Sequence, residues 1–250
     1  MIKGLELFKN HFSEYSDNYI LIGGAACSLL MEDVALEFRA TKDLDIVLYI
    51  EGLTEDFLLA FWEFIKLGGY KNRQKSTGKE VFYRFHSPED SNFPFMLELF
   101  SRASIHLHDD AHLTPVFVND AVSSLSAILM DDDYYYFMHS GKALVKGLPI
   151  IEASHLIPLK ARAWIDLVNR KQLGLHVDEK DIRKHKNDVF RLYQLLSPSI
   201  QINLPSMIKK DMNYFITQME KGKSVHFKSI VSKSSSFEEV FHNLRQIYFM

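Results

Sequence analysis

The first 150 residues alternate between helical and strand-like hydrophobic patterns. Apolar positions recur at helical spacing near residues 2–15 and from about Thr54 to Leu67. Short apolar runs indicate strands near 19–22, 44–50, 79–86 and 95–101, with more short strands expected up to Ile151. Helices interspersed with strands in this way predict a mixed β-sheet with helices packed on it.

From Ser154 onward the pattern is helical. One helix is expected from about Ser154 to Lys171, another around 180–192, and a third between Pro205 and Gly222, because proline favours a helix start and glycine its end. Ser236-Phe237-Glu238-Glu239 is a capping box ahead of a further apolar helix. The second part of the chain is therefore predicted to be a helical bundle.

Composition agrees with a globular protein of one large or two small domains. The chain has 250 residues, of which 47% are apolar and 24% charged, so it can bury a sizeable core. The change of pattern predicts an α+β protein with a sheet domain over 1–152 and a helical domain over 153–250. Its single cysteine, Cys27, cannot form an internal disulfide, and we expect it to be a small buried residue. Without a run of 18 apolar residues, we expect no membrane association and a cytoplasmic location.

A strand that ends in two glycines is the first candidate for chemistry. Tyr19-Ile20-Leu21-Ile22 reads as a buried strand, and Gly23-Gly24 lets the backbone turn tightly and approach a ligand. The helix expected to follow, roughly Ala25 to Met31, would direct its unpaired N–H groups and positive dipole end at that ligand. The pattern predicts an anion site.

Two aspartates open the next predicted strand. Asp43 and Asp45 are one residue apart, so strand alternation places both carboxylates on one face. Carboxylates this close repel each other unless a cation lies between them, and a hard divalent ion such as Mg²⁺, or Mn²⁺, suits them. Since Mg²⁺ completes its shell with water and substrate phosphates, the two motifs together indicate a metal-bound nucleoside triphosphate.

Ile22-Gly23-Gly24 followed by Arg39-x-Thr41-x-Asp43-Leu44-Asp45 resembles the signature of the polymerase-β-like nucleotidyltransferase superfamily. Within it, the chain is most similar to the bacterial AbiEii-type branch, known for toxins of toxin–antitoxin systems. The resemblance implies a nucleotidyltransferase-type sheet, nucleotide contacts from Gly23, Gly24, Arg39 and Thr41, and a third carboxylate on a later strand.

Glu98 is the candidate for that third carboxylate. It is the single acid in the apolar strand Phe95–Phe100, and a lone charge is rarely buried without a partner. The functional interpretation joins Glu98 to Asp43 and Asp45 as metal ligands. The alternative is an edge strand with Glu98 facing water.

The resemblance extends more loosely to the helical half. It implies a catalytic role for Lys160, whose alternative is an ordinary lysine with its ammonium in water. It also implies nucleotide contacts from Asp181 and Asp188, for which the alternative is a solvated helix face with a Lys184–Asp188 pair. The chain departs from the superfamily where Ala25 and Ala26 replace the usual serine, and Ser28 follows one turn later as a further nucleotide-binding candidate.

Other clusters suggest different chemistry. Ile105–His112 approaches the zinc ligand set of metallo-β-lactamase-like hydrolases, with His106, His108, Asp110 and His112 as ligands, and is otherwise a polar loop. Asp131-Asp132-Asp133 is predicted to be a turn into a strand, with a cation site as the alternative. With a net charge of −3 the chain is no general polyanion binder, but residues 160–191 carry a local excess of base that could contact RNA.

The predicted function is transfer of a nucleoside monophosphate from an NTP such as ATP to an acceptor hydroxyl. The resemblance allows tRNA, a protein or a small molecule as acceptor, and a cognate antitoxin as partner. A nucleotide-binding module without turnover is the non-enzymatic alternative, and a zinc-dependent hydrolase is the other enzymatic one.

Overall fold

The structure is a computed structural model that describes residues 2–73, 83–102, 113–116, 125–222 and 236–249, with 113–116 and 125–129 described by backbone alone. The chain divides into two compact units, Met1–Ile151 and Glu152–Met250. None of the helices in these ranges combines the length and the apolar run that crossing a bilayer requires.

Within the described residues, eight strands of the first unit form one sheet. They are β1 (Tyr19–Ile22), β2 (Asp43–Leu48), β3 (Arg84–His86), β4 (Met96–Arg102), β5 (Leu113–Val116), β6 (Leu125–Met130), β7 (Lys142–Val145) and β8 (Leu148–Ile151). Their order is β5-β6-β4-β2-β1-β8-β7, and β3 also pairs with β4. Three pairs, β1–β8, β2–β4 and β4–β6, are parallel and the rest antiparallel, so the predicted mixed sheet is confirmed.

Four α-helices accompany the sheet in the described part of this unit. They are α1 (Leu5–His11), α2 (Gly23–Asp33), α3 (Glu55–Gly68) and α4 (Asp132–Ser140). The helix expected near 2–15 is α1 followed by a 3₁₀ turn at Ser13–Tyr15, and α2 begins at the glycines themselves. Residues 79–82 of the strand expected near 79–86 lie outside the described residues.

Aromatic side chains of α1 and α3 cover one face of the sheet. Tyr19 of β1 packs its ring against Phe8 of α1 and Phe57 of α3, with centroids 5.5 and 6.5 Å away. Because side chains alternate along a strand, Ile22 faces the other side of the sheet. The residues aligned with Ile22 therefore lie on the face opposite this aromatic cluster.

The prediction for Asp131–Asp133 was wrong, because these acids begin helix α4 rather than a strand. The Asp131 carboxylate accepts hydrogen bonds from the backbone N–H groups of Asp133 and Tyr134 at 2.9 and 3.4 Å. Asp132 and Asp133 occupy the first helical turn, where the positive end of the helix dipole favours acids. These three acids cap and stabilise the N-terminus of α4, so their presence at this position does not require a bound cation.

Helix α4 also carries a half-buried histidine that stays neutral. Burial lowers the pKa of His139 to about 4, with the charge of Lys142 adding to the effect and that of Glu51 opposing it. Its ring packs against Tyr49 and Tyr135, and within the described residues its Nε2 has no hydrogen-bond partner.

His139 should make stability fall in mild acid. Its folded-state pKa lies below the unfolded value, so as pH drops from about 6.5 toward 4 only the unfolded chain takes up the proton. His139→Phe keeps an aromatic ring and removes this titration. Between pH 7 and 4.5 we expect the wild type to lose about 1 kcal/mol relative to His139→Phe in urea unfolding, after allowing for solvent screening. His176→Gln, a change at an exposed position that retains His139, should lose stability in parallel with wild type. Parallel curves for His139→Phe and wild type would contradict the assignment.

The second unit is helical, as predicted. In the described residues its helices are α5 (Ala153–Gln172), α6 (Glu179–Tyr193), α7 (Ser206–Lys221) and α8 (Phe237–Phe249). The capping box is present: Glu239 N–H donates to Ser236 Oγ at 3.1 Å, and Ser236 N–H donates to Glu239 Oε2 at 3.4 Å. Local sequence signals therefore located these helices well.

Candidate active site

A row of side chains crosses the sheet at the start of β2. Ile22 of β1 pairs with Asp45, Asp45 with Glu98 of β4, and Glu98 with Arg84 of β3. Directly paired residues project from the same face, so these side chains lie opposite the aromatic cluster. Alternation adds Asp43 to the same face. The structure thus aligns Asp43, Asp45 and Glu98, hereafter the acid row, on one face.

The glycine turn lies directly against the acid row. Gly23 has φ +66°, a left-handed conformation that favours glycine. A Cβ at Gly23 would stand 1.6 Å from Asp45 Oδ2, which is far inside contact distance. The turn therefore needs glycine at this position both for its backbone and for the space that the Asp45 carboxylate occupies.

Gly24 approaches the segment that leads into β2. A Cβ there would stand 2.5 Å from Thr41 Oγ1 and 3.7 Å from Arg39 Nη2. The guanidinium of Arg39 also lies over the ring of Phe38, 5.0 Å from its centroid. Four of the predicted nucleotide-binding residues, Gly23, Gly24, Arg39 and Thr41, are thus neighbours at the start of α2.

The packing of helix α2 accounts in part for the two alanines that stand where the resemblance would lead us to expect a serine. Ala25 and Ala26 are fully buried, and so is Cys27, as expected for small residues packed in the core. Ser28 is half-buried and lies one turn after Gly24, so the two share a side of the helix. Any anion at the glycine turn would depend on backbone N–H groups and on Arg39.

Glu98 is not on an edge strand, so that alternative was wrong. Strand β4 has β2 on one side and β3 and β6 on the other, and the Glu98 side chain is only 14% exposed. Its partner is Arg84, whose Nε donates to Glu98 Oε1 at 2.6 Å, with Nη2 on the same oxygen. Sequence reasoning missed Arg84, because the register of β3 on β4 has no local signal.

The donor set suits a hard divalent cation, although its members do not converge completely. Asp43 and Asp45 are both half-buried, and among the described residues no hydrogen bond or ion pair engages the Asp43 carboxylate. Carboxylate oxygens beside a glycine turn that a ligand can approach closely are suitable ligands for Mg²⁺ or Mn²⁺. In the described ranges no three His, Cys, Asp or Glu side chains are grouped closely enough to hold a metal, consistent with Glu98 being held by Arg84.

In the second unit, Lys160 and Asp188 are partners. Lys160 Nζ lies 3.4 Å from Asp188 Oδ2, and Arg191 Nη1 lies 3.4 Å from Asp188 Oδ1. The side chains of Lys160 and Asp188 are 5% and 0% exposed, so Lys160 is not the surface lysine of the alternative interpretation. Asp188 pairs with these two residues in place of the Lys184 suggested by helical spacing, and Asp181 is exposed.

The basic segment 160–191 is partly neutralised by nearby acids. Besides the pairs of Lys160 and Arg191, Arg162 pairs with Asp166 and Asp211, and Lys171 pairs with Glu179. Two other cations, Arg183 and Lys186, line a cavity of about 500 Å³ together with Trp164 and Phe190. Burial, and then the charge of Arg183, lower the pKa of Lys186. The tertiary structure therefore places aromatic residues beside these basic side chains, an arrangement that was not visible in the sequence.

The rival zinc site, with His106, His108, Asp110 and His112, lies outside the described residues, so it stays a prediction.

Comparison with known proteins adds little to this geometry. No family model matches the chain, and no curated protein matches it. It aligns with the crystal structure of JHP933 from Helicobacter pylori at 13% identity and a TM-score of 0.39, covering 96% of this chain and 86% of that one. A second H. pylori structure, described as a "putative nucleotidyltransferase", aligns at 13% identity and a TM-score of 0.40, covering 96% and 89%. Likeness at this level carries no conclusion about function, which must be argued from the residues themselves.

Proposed function

We propose that this chain is a divalent-metal-dependent nucleotidyltransferase of the AbiEii type, acting in the cytoplasm. The observation that carries the proposal is the contact between the Gly23–Gly24 turn and Asp45, in the row that also contains Glu98. A phosphate site and a carboxylate site at one point of a sheet suit a metal-bound triphosphate. The presence of all three acids favours an enzyme over a module without turnover.

Each residue has a role in the proposed reaction. Asp43 and Asp45, with Glu98, would hold Mg²⁺ or Mn²⁺, which supplies charge neutralisation and orientation of the triphosphate when bound. The N–H groups at the start of α2 orient the phosphates, and Arg39 adds a fixed positive charge. The acceptor oxygen bonds to the α-phosphorus, the bond to the bridging oxygen breaks, and pyrophosphate leaves. Glu98 takes the acceptor's proton or serves as a third metal ligand.

The helical unit supports an RNA acceptor most directly. One cavity is lined by two cationic side chains, Arg183 and Lys186, and by two aromatic rings, Trp164 and Phe190. Aromatic rings suit a nucleobase, and cationic side chains suit its phosphate. Transfer to tRNA is therefore the preferred form of the proposal, ahead of a protein or small-molecule acceptor. A toxin role with a cognate antitoxin follows from the family resemblance.

The experiment is a label-transfer assay. The protein is incubated with each α-labelled NTP, Mg²⁺ and total RNA, or with total protein, and the labelled product is resolved on a gel. We expect transfer from one NTP, its loss on chelation of the metal, and a decrease in Asp43→Asn, which keeps the side-chain shape and removes the charge. Absence of transfer to every acceptor, or equal transfer by Asp43→Asn, would contradict the proposal.

A further inference from the structure

Arg84 places a positive charge at the end of the acid row, where a metal site would need a negative one. Both Nε and Nη2 of Arg84 contact a single oxygen, Glu98 Oε1. The Arg84 side chain is 47% exposed, whereas Glu98 is 14% exposed. Arg84 also lies over the ring of Tyr83, 5.8 Å from its centroid.

A guanidinium and a divalent cation compete for the same carboxylate. Glu98 Oε1 accepts two charge-assisted hydrogen bonds and has little capacity left for a metal at about 2.1 Å. A metal on the other oxygen, Oε2, would be repelled by the guanidinium beside it. Binding of a metal by all three acids is therefore strongest when Glu98 leaves Arg84. The cost is modest because Arg84 is half-exposed and water can solvate its released guanidinium.

A triphosphate would give the released arginine a new partner. Arg84 is two strands from Asp45, a spacing of about 10 Å between backbones, most of which an extended arginine side chain covers. The guanidinium also shares the sheet face of Asp45 and the adjoining glycine turn. A planar fork of N–H donors binds phosphate as readily as carboxylate.

We propose that Arg84 is a positioning residue that holds Glu98 until the metal-bound triphosphate arrives, and thereby couples metal binding to nucleotide binding. This inference rests on the proposed function of the acid row. In the protein without nucleotide, Arg84 weakens metal binding by occupying Glu98. Once triphosphate is present, Arg84 moves to the phosphates, and Glu98 becomes available to the metal.

The test is Mn²⁺ binding, followed by the electron paramagnetic resonance signal of the free ion. Four proteins are compared with and without a non-hydrolysable NTP analogue: wild type, Arg84→Gln, Arg84→Lys and Arg102→Gln. Arg102→Gln is the matched control, because it removes an arginine on the strand of Glu98 that pairs instead with Glu51, at 2.9 Å, and with the Tyr136 hydroxyl. Thermal melting establishes that each variant is folded.

Without nucleotide, Arg84→Gln is expected to bind Mn²⁺ about two- to fivefold more tightly than wild type. Arg84→Lys, which keeps the charge, and Arg102→Gln should stay close to wild type. The analogue should tighten Mn²⁺ binding in wild type more than in Arg84→Gln. Equal or weaker Mn²⁺ binding by Arg84→Gln without nucleotide overturns this inference alone. Mn²⁺ binding that is absent from wild type, or unchanged by Asp45→Asn, overturns the proposed function as well.

Discussion

Gly23→Ala is expected to lower kcat/KM for nucleotidyl transfer about a hundredfold while the protein stays folded. The new Cβ would stand 1.6 Å from Asp45 Oδ2, so the carboxylate must move by more than an ångström. Misplacement of a reacting group by about 1 Å commonly costs this much. The left-handed backbone, with φ +66°, adds strain of about 1 kcal/mol for any residue with a Cβ.

Gly174→Ala is the matched control for this change. Gly174 has φ +77°, and a Cβ there meets nothing within 4 Å. The two variants thus share the backbone strain and differ in contact with the acid row. Steady-state kinetics and thermal melting on both proteins separate activity from stability. If Gly23→Ala retained the kcat/KM of Gly174→Ala, Asp45 would not belong to the reactive site.

Asp188→Ala is expected to lower the free energy of unfolding of the helical unit by about 3–5 kcal/mol. The variant leaves the ammonium of Lys160, whose side chain is 5% exposed, without the carboxylate 3.4 Å away. A buried charge without its partner is among the most destabilising defects in a protein core. Urea unfolding, followed by the circular dichroism of the helices, measures the loss.

The double variant Lys160→Met with Asp188→Leu distinguishes a structural pair from a nucleotide site. It replaces both charges by apolar groups of similar volume, which is commonly neutral for stability. Arg191, which is 27% exposed, can turn to water. Recovered stability together with wild-type transfer would make the pair structural and overturn the catalytic role predicted for Lys160. Recovered stability with transfer lost would support that role.

For most helices and strands, the predictions that rest on patterns of nearby residues agree with the structure. Alternation placed Asp43 and Asp45 on one face, and the capping box at Ser236 located the start of α8, because both depend on residues a few positions apart. Asp131–Asp133 was misread although its signal is equally local. An aspartate followed by two acids and a helical run is typical of an N-cap, and greater weight on that pattern would have identified α4.

Charge partners followed a different rule. Helical spacing suggested Lys184 for Asp188, but packing of α5 on α6 supplies Lys160 from 28 positions away. Glu98 was recognised as an acid in need of a partner, yet its partner was taken to be a metal or water. The register of β3 on β4 placed Arg84 there. A buried charge pairs with an opposite charge that is close to it in the folded structure. The separation of the two residues along the chain does not predict which charge that is.

By itself, the sequence determined the type of most elements, the α+β class and the identity of the candidate acids, because periodicity and capping are properties of consecutive residues. Only the tertiary structure decided that Ile22, Asp45, Glu98 and Arg84 form one row, that Gly23 adjoins Asp45, and that Asp188 neutralises Lys160. Strand order and register are set by burial of the whole sheet, and one residue of register decides which charges meet.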